Sequence, residues 1–227
     1  MEIEELKRAA GYRAADFVMA GMVVGLGSGT TARYATLRIA QRLREGALHD
    51  IMGIPTSKQT GRLAREKGIP LTTLEKVARI DLTIDGADEV DPHLDLIKGL
   101  GGFLLREKIV ASVTEQEIIV VDDSKLVPTL GSKAPVPVEI LRFGWQCTRT
   151  AVERTGAETE LRLHEEGPYV TDEGNYIIDC RYDEISSPTE LSLALNGIPG
   201  VVENGLFLGL AHMIVVASPS GMEIIER

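Results

Sequence analysis

The sequence predicts an α/β protein with an open, mostly parallel sheet flanked by helices and a second, smaller α+β domain. Up to about residue 130, short apolar runs alternate with segments of helical periodicity, and this alternation is typical of a parallel sheet. The remaining chain predicts the order strand, helix, strand, strand, helix, strand, which is the split βαβ arrangement. A length of 227 residues fits one large domain with a smaller companion. We therefore expect a Rossmann-like domain and a ferredoxin-like one.

The first domain begins with a helical pattern over residues 3–19, which is followed by a short strand at Met22–Gly25 and a second helix from about Thr30. Later strands are predicted at Ile51–Ile54, Leu71–Thr73, Ile80–Asp85 and Glu117–Val121, and later helices at Ser57–Lys67 and Gly102–Val113. Sheets of this class bind ligands beyond the carboxyl ends of their strands. We therefore expect the functional residues in the loops that leave those ends.

A domain boundary is predicted after Gly131, where Pro135 and Pro137 interrupt the pattern. The second domain is predicted to contain strands at Val136–Ile140, Glu158–Leu163, Tyr176–Arg181 and Gly200–Glu203, and helices at Trp145–Arg154 and Thr189–Leu195. The fully apolar segment Met213–Ala217 is expected to return to the first sheet. The predicted domains are therefore residues 1–130 with 206–227, and residues 131–205.

The chain is acidic, with a formal net charge of -10 at pH 7. Such a charge repels nucleic acid and anionic lipid, so we expect neither as a partner, and we expect any anionic ligand to be held by a local feature. The apolar runs are far shorter than the roughly 20 residues that span a bilayer, and the amino terminus does not match a secretory signal. Cys147 and Cys180 form no metal-type pair and are expected to be free thiols in the cytoplasm.

A glycine-rich segment, Gly25–Thr31, lies between the first strand and the second helix. Its glycines let the backbone curl around a ligand, and the helix amino terminus together with the hydroxyls of Ser28, Thr30 and Thr31 favours an anion. A plain tight turn with a threonine cap is the alternative. A dinucleotide site is disfavoured because Thr30 replaces the last glycine of the GxGxxG pattern, and a nucleotide-triphosphate loop is disfavoured because the segment has no lysine.

An acidic segment, Asp85–Asp91, follows the strand predicted at Ile80–Asp85. It carries four acids in seven residues: Asp85, Asp88, Glu89 and Asp91. This concentration of charge stands where sheets of this class bind ligands, although a hydrated surface turn has the same composition. A metal site is the weaker interpretation because the spacing does not follow the calcium-loop pattern.

A third motif, Lys98–Gly102, leads into a predicted helix that contains Glu107. Because three- and four-residue spacings share a helix face, Glu107 lies in a sector bounded by apolar residues. Burial there disfavours the charged form of the carboxylate, which suits a general base that acts near neutral pH. The alternative is a salt-bridged glutamate with Lys98, Arg106 or Lys108 as its partner.

In their order and spacing, the segments GLGSGTTA, DGADEVD and KGLGG with a following REK resemble the type A ribose-5-phosphate isomerases. The resemblance extends over nearly the whole chain and includes Asp123–Lys125, Pro137–Glu139, Val170–Asn175 and Ile198–Val202. The chain differs from the usual pattern at Leu100, where a third glycine is common, and at Phe103–Leu105, where smaller residues and a threonine are common.

The resemblance implies an enzyme of the pentose phosphate pathway that interconverts ribose 5-phosphate and ribulose 5-phosphate through an enediolate. Glu107 would move the proton between C1 and C2, and Lys98 would stabilise the developing oxyanion. Asp85 and Asp88 would hold or protonate sugar oxygens. The implied substrate-binding residues are Lys7, Ser28, Gly29, Thr30, Thr31, Gly86, Ala87, Gly99, Leu100, Gly101 and Lys125. The resemblance further implies no metal or organic cofactor and a homodimer or homotetramer.

Two other classes remain open on the sequence. A sugar-phosphate-sensing domain of a transcription regulator keeps a glycine loop, but it has no need of Glu107 and Lys98 and usually carries a basic helix-turn-helix, which we do not find in this sequence. A coenzyme A transferase has a similar sheet and uses a glutamate as a nucleophile.

Overall fold

The computed structural model describes residues 2–165 and 167–227, and the chain divides into two compact units. Unit 1 contains Met1–Ala87, Arg106–Leu126 and Leu210–Arg227, and unit 2 contains Asp88–Leu105 and Val127–Gly209. The division expected from the sequence differs because it placed residues 127–130 and 206–209, and above all residues 88–105, in the first domain. Residues 88–105 belong to unit 2 because Leu96–Ile97 pairs with Glu89–Val90 and with Leu206–Phe207 in a small antiparallel sheet.

The helices and strands follow one another in the predicted alternation. In chain order they are α1 (Ile3–Ala15), β1 (Val23–Leu26), α2 (Thr30–Arg44), β2 (Met52–Pro55), α3 (Lys58–Glu66), β3 (Ile80–Gly86), β4 (Glu89–Val90), β5 (Leu96–Ile97), α4 (Leu104–Ser112), β6 (Thr114–Asp122), a 3-10 turn (Asp123–Lys125), β7 (Val136–Ile140), α5 (Trp145–Glu153), β8 (Glu158–Leu161), β9 (Leu163–His164), β10 (Gly167–Pro168), β11 (Tyr176–Arg181), α6 (Pro188–Asn196), β12 (Val201–Asn204), β13 (Leu206–Phe207), β14 (Met213–Ser218) and β15 (Gly221–Glu226).

The sheet of unit 1 has the strand order β15-β14-β6-β3-β1-β2. All neighbours are parallel except β14 and β15, so the predicted mostly parallel sheet is confirmed, and so is the return of Met213–Ala217 to it. Strand β15 was not predicted, because its residues are mostly exposed and show no clean alternation. The strand predicted at Leu71–Thr73 is wrong: its pairing is a single bridge between Gly53 and Leu71.

The core of unit 1 is built from small and branched apolar side chains of α1, α2 and the sheet. Helices α1 and α2 approach closely at Gly11, where an added Cβ would lie 2.8 Å from the Cβ of Tyr34. A larger residue at this position would therefore separate the two helices. Within the described residues, no helix has the length and apolar composition needed to cross a bilayer.

Unit 2 has a four-stranded antiparallel sheet in the order β12-β7-β11-β8. Helix α5 connects β7 to β8, and helix α6 connects β11 to β12. This is the ferredoxin-like arrangement predicted from the order of the elements. Apolar side chains of the sheet and helices form one core, to which Ile97 of β5 also belongs.

Glu89 is fully buried in unit 2 and hydrogen-bonds a loop that is distant in sequence. Its Oε2 accepts a hydrogen bond from the backbone N–H of Gly131, and its Oε1 accepts from those of Lys133 and Ala134, each at 2.6 Å. A buried carboxylate is tolerated when several donors compensate its lost hydration. Glu89 therefore fixes the backbone of the loop that leads into β7.

Glu139 is a second buried carboxylate of unit 2, on strand β7. Its Oε1 accepts hydrogen bonds from the hydroxyl of Thr171 at 2.8 Å and the side-chain amide of Asn175 at 2.9 Å. Burial raises the pKa of Glu139, and the two hydrogen bonds oppose that rise. The turn that carries Thr171 and Asn175 is thereby held against the central strand.

We expect Glu89→Gln to lower the free energy of unfolding by about 1–3 kcal/mol, because the amide group must face a backbone N–H that it cannot accept from. The measurement is the urea midpoint at neutral pH. The exposed Glu158 of the same unit provides the control variant, Glu158→Gln, which should leave the midpoint unchanged. Equal midpoints for the two variants would contradict the role of Glu89.

We also expect the raised pKa of Glu139 to make stability depend on pH. Between the pKa of the unfolded chain and the higher pKa of the folded one, the folded state binds more protons. This contribution to stability is complete below the unfolded pKa and is lost as the pH rises through the folded pKa. The measurement is the free energy of unfolding as a function of pH, and in Glu139→Gln it should lack this fall with rising pH. The same dependence on pH in the variant and in the unaltered protein would refute the prediction.

Candidate active site

The carboxyl ends of three neighbouring strands bring several predicted site residues of unit 1 to one edge of the sheet. Strands β1, β3 and β6 are parallel, with Leu26 opposite Ile84 and Gly86 opposite Val120. The glycine loop leaves β1 at this edge, Asp85 stands at the end of β3, and the 3-10 turn with Lys125 follows β6. The sheet therefore places them where ligands bind in this class of fold.

The glycine loop needs glycines because strand β3 lies directly against it. A Cβ added to Gly25 would lie 2.0 Å from Oγ1 of Thr83, and one added to Gly27 would lie 2.4 Å from Oδ1 of Asp85. Gly29 has a φ of 91° and is the N-cap residue of α2, which begins at Thr30. The loop therefore ends at the amino terminus of a 15-residue helix, whose first backbone N–H groups favour an anion.

Asp85 holds the glycine loop in position. This carboxylate is 1% exposed, and its Oδ1 accepts hydrogen bonds from the backbone N–H of Ser28 at 3.1 Å and of Gly86 at 2.7 Å. The same side chain therefore joins the end of β3 to the loop after β1. Two residues that the sequence analysis singled out separately, Asp85 and Ser28, are in direct contact.

The hydroxyl of Ser28 belongs to a buried cluster that the sequence analysis missed. Its Oγ lies 2.8 Å from Oγ1 of Thr56, 2.7 Å from Oγ of Ser57 and 3.2 Å from Oγ1 of Thr60. Thr60 also donates to the carbonyl of Gly27 at 3.1 Å. The available signal was the run of hydroxyl residues directly after β2, at the same carboxyl edge. The cluster supports the loop from its inner side.

Glu107 lies in the first turn of α4 and is 6% exposed. Its predicted burial is confirmed, and the apolar residues Val110 and Ala111 of the same helix are buried as well. Since β3 and β6 are parallel neighbours, the helix between them must return the chain from the carboxyl edge of the sheet to its amino edge. The first turn, with Glu107, is the end of the helix directed toward the carboxyl edge.

Lys7, another predicted substrate residue, forms an ion pair with Glu4 one turn earlier in α1, at 3.0 Å. Glu4 also accepts a hydrogen bond from the hydroxyl of Tyr34 at 2.9 Å. The hydrogen bonds from Lys7 and Tyr34 lower the pKa of Glu4. The Lys7 side chain is 18% exposed, so its ammonium group keeps a path to solvent.

Unit 2 carries further predicted residues directly before β4, where Asp88 lies, and in the segment Lys98–Gly101 that follows β5. Oδ2 of Asp88 accepts a hydrogen bond from the backbone N–H of Leu100 at 2.9 Å, so these two predicted residues are also in contact. Lys98 is 3% exposed, and its Nζ lies 5.3 Å from the ring centroid of Phe207. Gly99 has a φ of 106°, a conformation that disfavours other residues.

The chain's departure from the usual glycine at position 100 causes no crowding. Leu100 is exposed, so its side chain points to solvent and its backbone N–H serves the hydrogen bond to Asp88. Among residues 2–165 and 167–227, no group of three His, Cys, Asp or Glu side chains is arranged to hold a metal ion. The buried Glu107 and the buried Lys98 are both of residue types that can take part in acid–base chemistry.

Comparisons with known proteins agree with these motifs. The family model of ribose 5-phosphate isomerase A (phosphoriboisomerase A) matches residues 52–221. The ribose-5-phosphate isomerase A of Gloeobacter violaceus is 52% identical over 226 residues, which cover 99% of this chain and 97% of that protein. The protein of Thermococcus kodakarensis with the same name is 45% identical over the full length of both chains.

Solved structures agree over the full length. A D-ribose-5-phosphate isomerase in complex with phospho-erythronic acid superimposes with a TM-score of 0.97 at 41% identity and full coverage of both chains. Ribose 5-phosphate isomerase A from Methanocaldococcus jannaschii gives a TM-score of 0.95 at 39% identity, again with full coverage of both chains. The fold, the motifs in their order and these full-length matches together mean that the chain belongs to the ribose-5-phosphate isomerase A family.

Proposed function

We propose that Glu107 is the base of an aldose–ketose isomerase that interconverts ribose 5-phosphate and ribulose 5-phosphate. In the open-chain aldose, the carboxylate takes the proton from C2, which gives an enediolate, and returns it to C1. The hydroxyl proton moves from O2 to O1, so the ketose forms with no net gain or loss of protons or electrons. The observation that carries this role is the burial of Glu107 at the start of α4, in a chain that belongs to this family.

A carboxylate removes a weakly acidic C–H proton only if the resulting oxyanion is stabilised. We assign this stabilisation to Lys98, whose buried ammonium group carries the compensating charge. Asp85 and Asp88 hold sugar oxygens or exchange protons with them during ring opening. Both aspartates also accept backbone hydrogen bonds, which orient their carboxylates before any sugar binds.

The amino terminus of α2 is the proposed phosphate site. Thr30 and Thr31 belong to its first turn, and the backbone N–H groups there favour the phosphate dianion. Ser28 contributes by shaping the loop, since its hydroxyl is engaged in the buried cluster. The other proposed substrate contacts are Lys7, Gly29, Gly86, Ala87, Gly99, Leu100, Gly101 and Lys125.

The solved complex with phospho-erythronic acid supports a sugar-phosphate substrate. Phospho-erythronic acid is a phosphorylated sugar acid, and its carboxylate presents two oxygens at the end of the carbon chain, as the enediolate does near C1 and C2. That family member therefore binds a ligand that has both features, and we extend this ligand class to the present chain.

We further propose that the protein forms a homodimer or homotetramer. Unit 2 exposes large apolar side chains, among them Leu141, Phe143 (95% exposed), Leu163 and Leu193. Phe143 in particular leaves a large aromatic side chain in water, and association with another chain would bury it. The molecular mass in solution distinguishes the two assemblies.

We place the enzyme in the cytoplasm. Cys147 and Cys180 are free thiols, which fits a reducing compartment. Burial raises the pKa of Cys180 to about 12, so this thiol stays protonated and serves as an apolar residue of the core.

The first test of the function is Glu107→Gln, which keeps the size of the side chain and removes the base. We expect kcat for ribose 5-phosphate to fall by about 10²–10⁴-fold with sugar-phosphate binding largely retained. The control is Glu117→Gln, which alters another buried glutamate of unit 1 on β6. Near-normal turnover of Glu107→Gln would rule out this base, and conversion of acyl-CoA plus a carboxylate by the unaltered protein would favour the transferase instead.

The second test is Thr31→Val, which removes a hydroxyl from the first turn of α2. We expect KM to rise by about tenfold with kcat little changed, because the phosphate is bound equally in the ground state and the transition state. Thr36→Val on the same helix removes a hydroxyl that bonds the carbonyl of Ala32 and should leave KM unaltered. A loss confined to kcat in Thr31→Val would place this residue in the chemical step.

A further inference from the structure

We call the segment Gly99–Gly101 of unit 2 the oxyanion loop. Its own side chains do little to fix its backbone, so contacts from other residues must do so. Gly99 and Gly102 both have positive φ, and two of the three loop residues have no side chain. A hydrogen bond from the N–H of Gly102 to the carbonyl of Gly99, at 2.9 Å, closes the turn. The loop follows Lys98 directly, so any displacement of its backbone also moves the lysine.

Arg162 donates to the two carbonyls of this loop. Its Nη1 lies 2.8 Å from the carbonyl oxygen of Gly99 and 3.0 Å from that of Leu100. The edge of the guanidinium formed by Nε and Nη2 binds Asp179 on β11, with Nε 2.9 Å from Oδ2 and Nη2 in contact with Oδ1. An arginine suits this geometry because Nε and Nη2 bind both oxygens of one carboxylate while Nη1 remains available for the loop carbonyls.

The peptide group between Gly99 and Leu100 connects Arg162 to Asp88. Its carbonyl accepts from Arg162, and its N–H donates to Oδ2 of Asp88 at 2.9 Å. A peptide whose carbonyl is bound by a cation becomes a better N–H donor, since the hydrogen bonds on its two sides polarise each other. A continuous chain of contacts thus runs from Asp179 through Arg162 and one peptide group to the Asp88 carboxylate.

We propose that Arg162 is a positioning residue for the isomerisation: it holds the oxyanion loop and, through the Gly99–Leu100 peptide, orients Asp88. Its side chain is 12% exposed, so these hydrogen bonds are formed largely away from solvent. Tyr169 assists from the same side: its hydroxyl lies 3.5 Å from the carbonyl of Gly101, and a Cβ at Gly102 would lie 2.2 Å from that hydroxyl. The inference rests on the proposed function.

Because the proposed phosphate site at the amino terminus of α2 belongs to unit 1 and Arg162 acts within unit 2, loss of Arg162 should slow the chemical step more than it weakens binding. We expect Arg162→Ala to lower kcat by about 10–100-fold, the usual effect of misplacing a reacting group, and to change KM by less than about threefold. Free guanidinium ion at millimolar concentration should restore part of the lost kcat, which a merely structural defect would not allow.

Arg149 provides a matched control in the same unit. It also binds a carboxylate and a backbone carbonyl, with Nε 3.0 Å from Oε1 of Glu153 and Nη2 2.8 Å from the carbonyl oxygen of Thr159. Because these contacts lie outside the oxyanion loop, we expect Arg149→Ala to keep the kcat of the unaltered enzyme. Equal losses in Arg149→Ala and Arg162→Ala, or a loss carried entirely by KM, would overturn the proposal.

Arg162→Lys keeps the positive charge and most of the stem, so it remains informative if the alanine variant does not fold. One ammonium group cannot bind Asp179 at two oxygens and two loop carbonyls together, so we expect kcat at least about threefold below that of the unaltered enzyme. A kcat equal to the unaltered value would refute the positioning role. An unaltered protein with no isomerase activity would instead refute the proposed function, so the two failures are distinguishable.

Discussion

The glycine loop and the strands beneath it depend on one buried carboxylate, Asp85. Its Oδ1 accepts the backbone N–H groups of Ser28 and Gly86, and its burial leaves it 1% exposed. A charged group in such a position is tolerated only while protein donors replace its lost hydration. The loop after β1 is consequently drawn against β3 so tightly that Gly25 and Gly27 have no room for a side chain. Asp85, to which we assign a role toward sugar oxygens, is thus also part of the framework of the glycine loop.

The other acids of the segment Asp85–Asp91 follow the same physical rule. Asp88 accepts from the N–H of Leu100, Glu89 accepts from three N–H groups of the loop before β7, and Asp91 accepts from those of His93 and Asp95. A hydrated surface turn would have left these carboxylates in water. Instead, the short strands and turns around this segment contain several backbone N–H groups that form no hydrogen bond within a sheet or helix. The carboxylates of the segment accept hydrogen bonds from these groups. Each acid therefore orients a piece of backbone, and Asp85 and Asp88 also have assigned roles in the proposed mechanism.

An acidic protein that binds an anionic sugar phosphate must solve a local electrostatic problem. With a net charge of -10, the chain offers no general attraction for the substrate. The proposed solution is a helix amino terminus for the phosphate, one buried lysine for the oxyanion and an arginine that acts through the backbone. In the proposed mechanism Glu107 has a related requirement, because a base that takes a proton from carbon depends on groups that stabilise the negative charge left behind.

The sequence alone determined the alternation of helices and strands, the ferredoxin-like order of unit 2 and the burial of Glu107, because each follows from local periodicity. It also indicated candidate loops for the chemistry, since glycine and acidic residues stand out at the ends of apolar runs. Only the tertiary structure decided that Asp85 contacts Ser28, that Thr56, Ser57 and Thr60 surround the Ser28 hydroxyl, and that residues 88–105 belong to unit 2. It also decided the contact of Arg162 with a loop about 60 positions earlier in the chain. Such contacts join residues that are far apart in sequence, and no periodicity along the chain encodes which distant donor meets which acceptor.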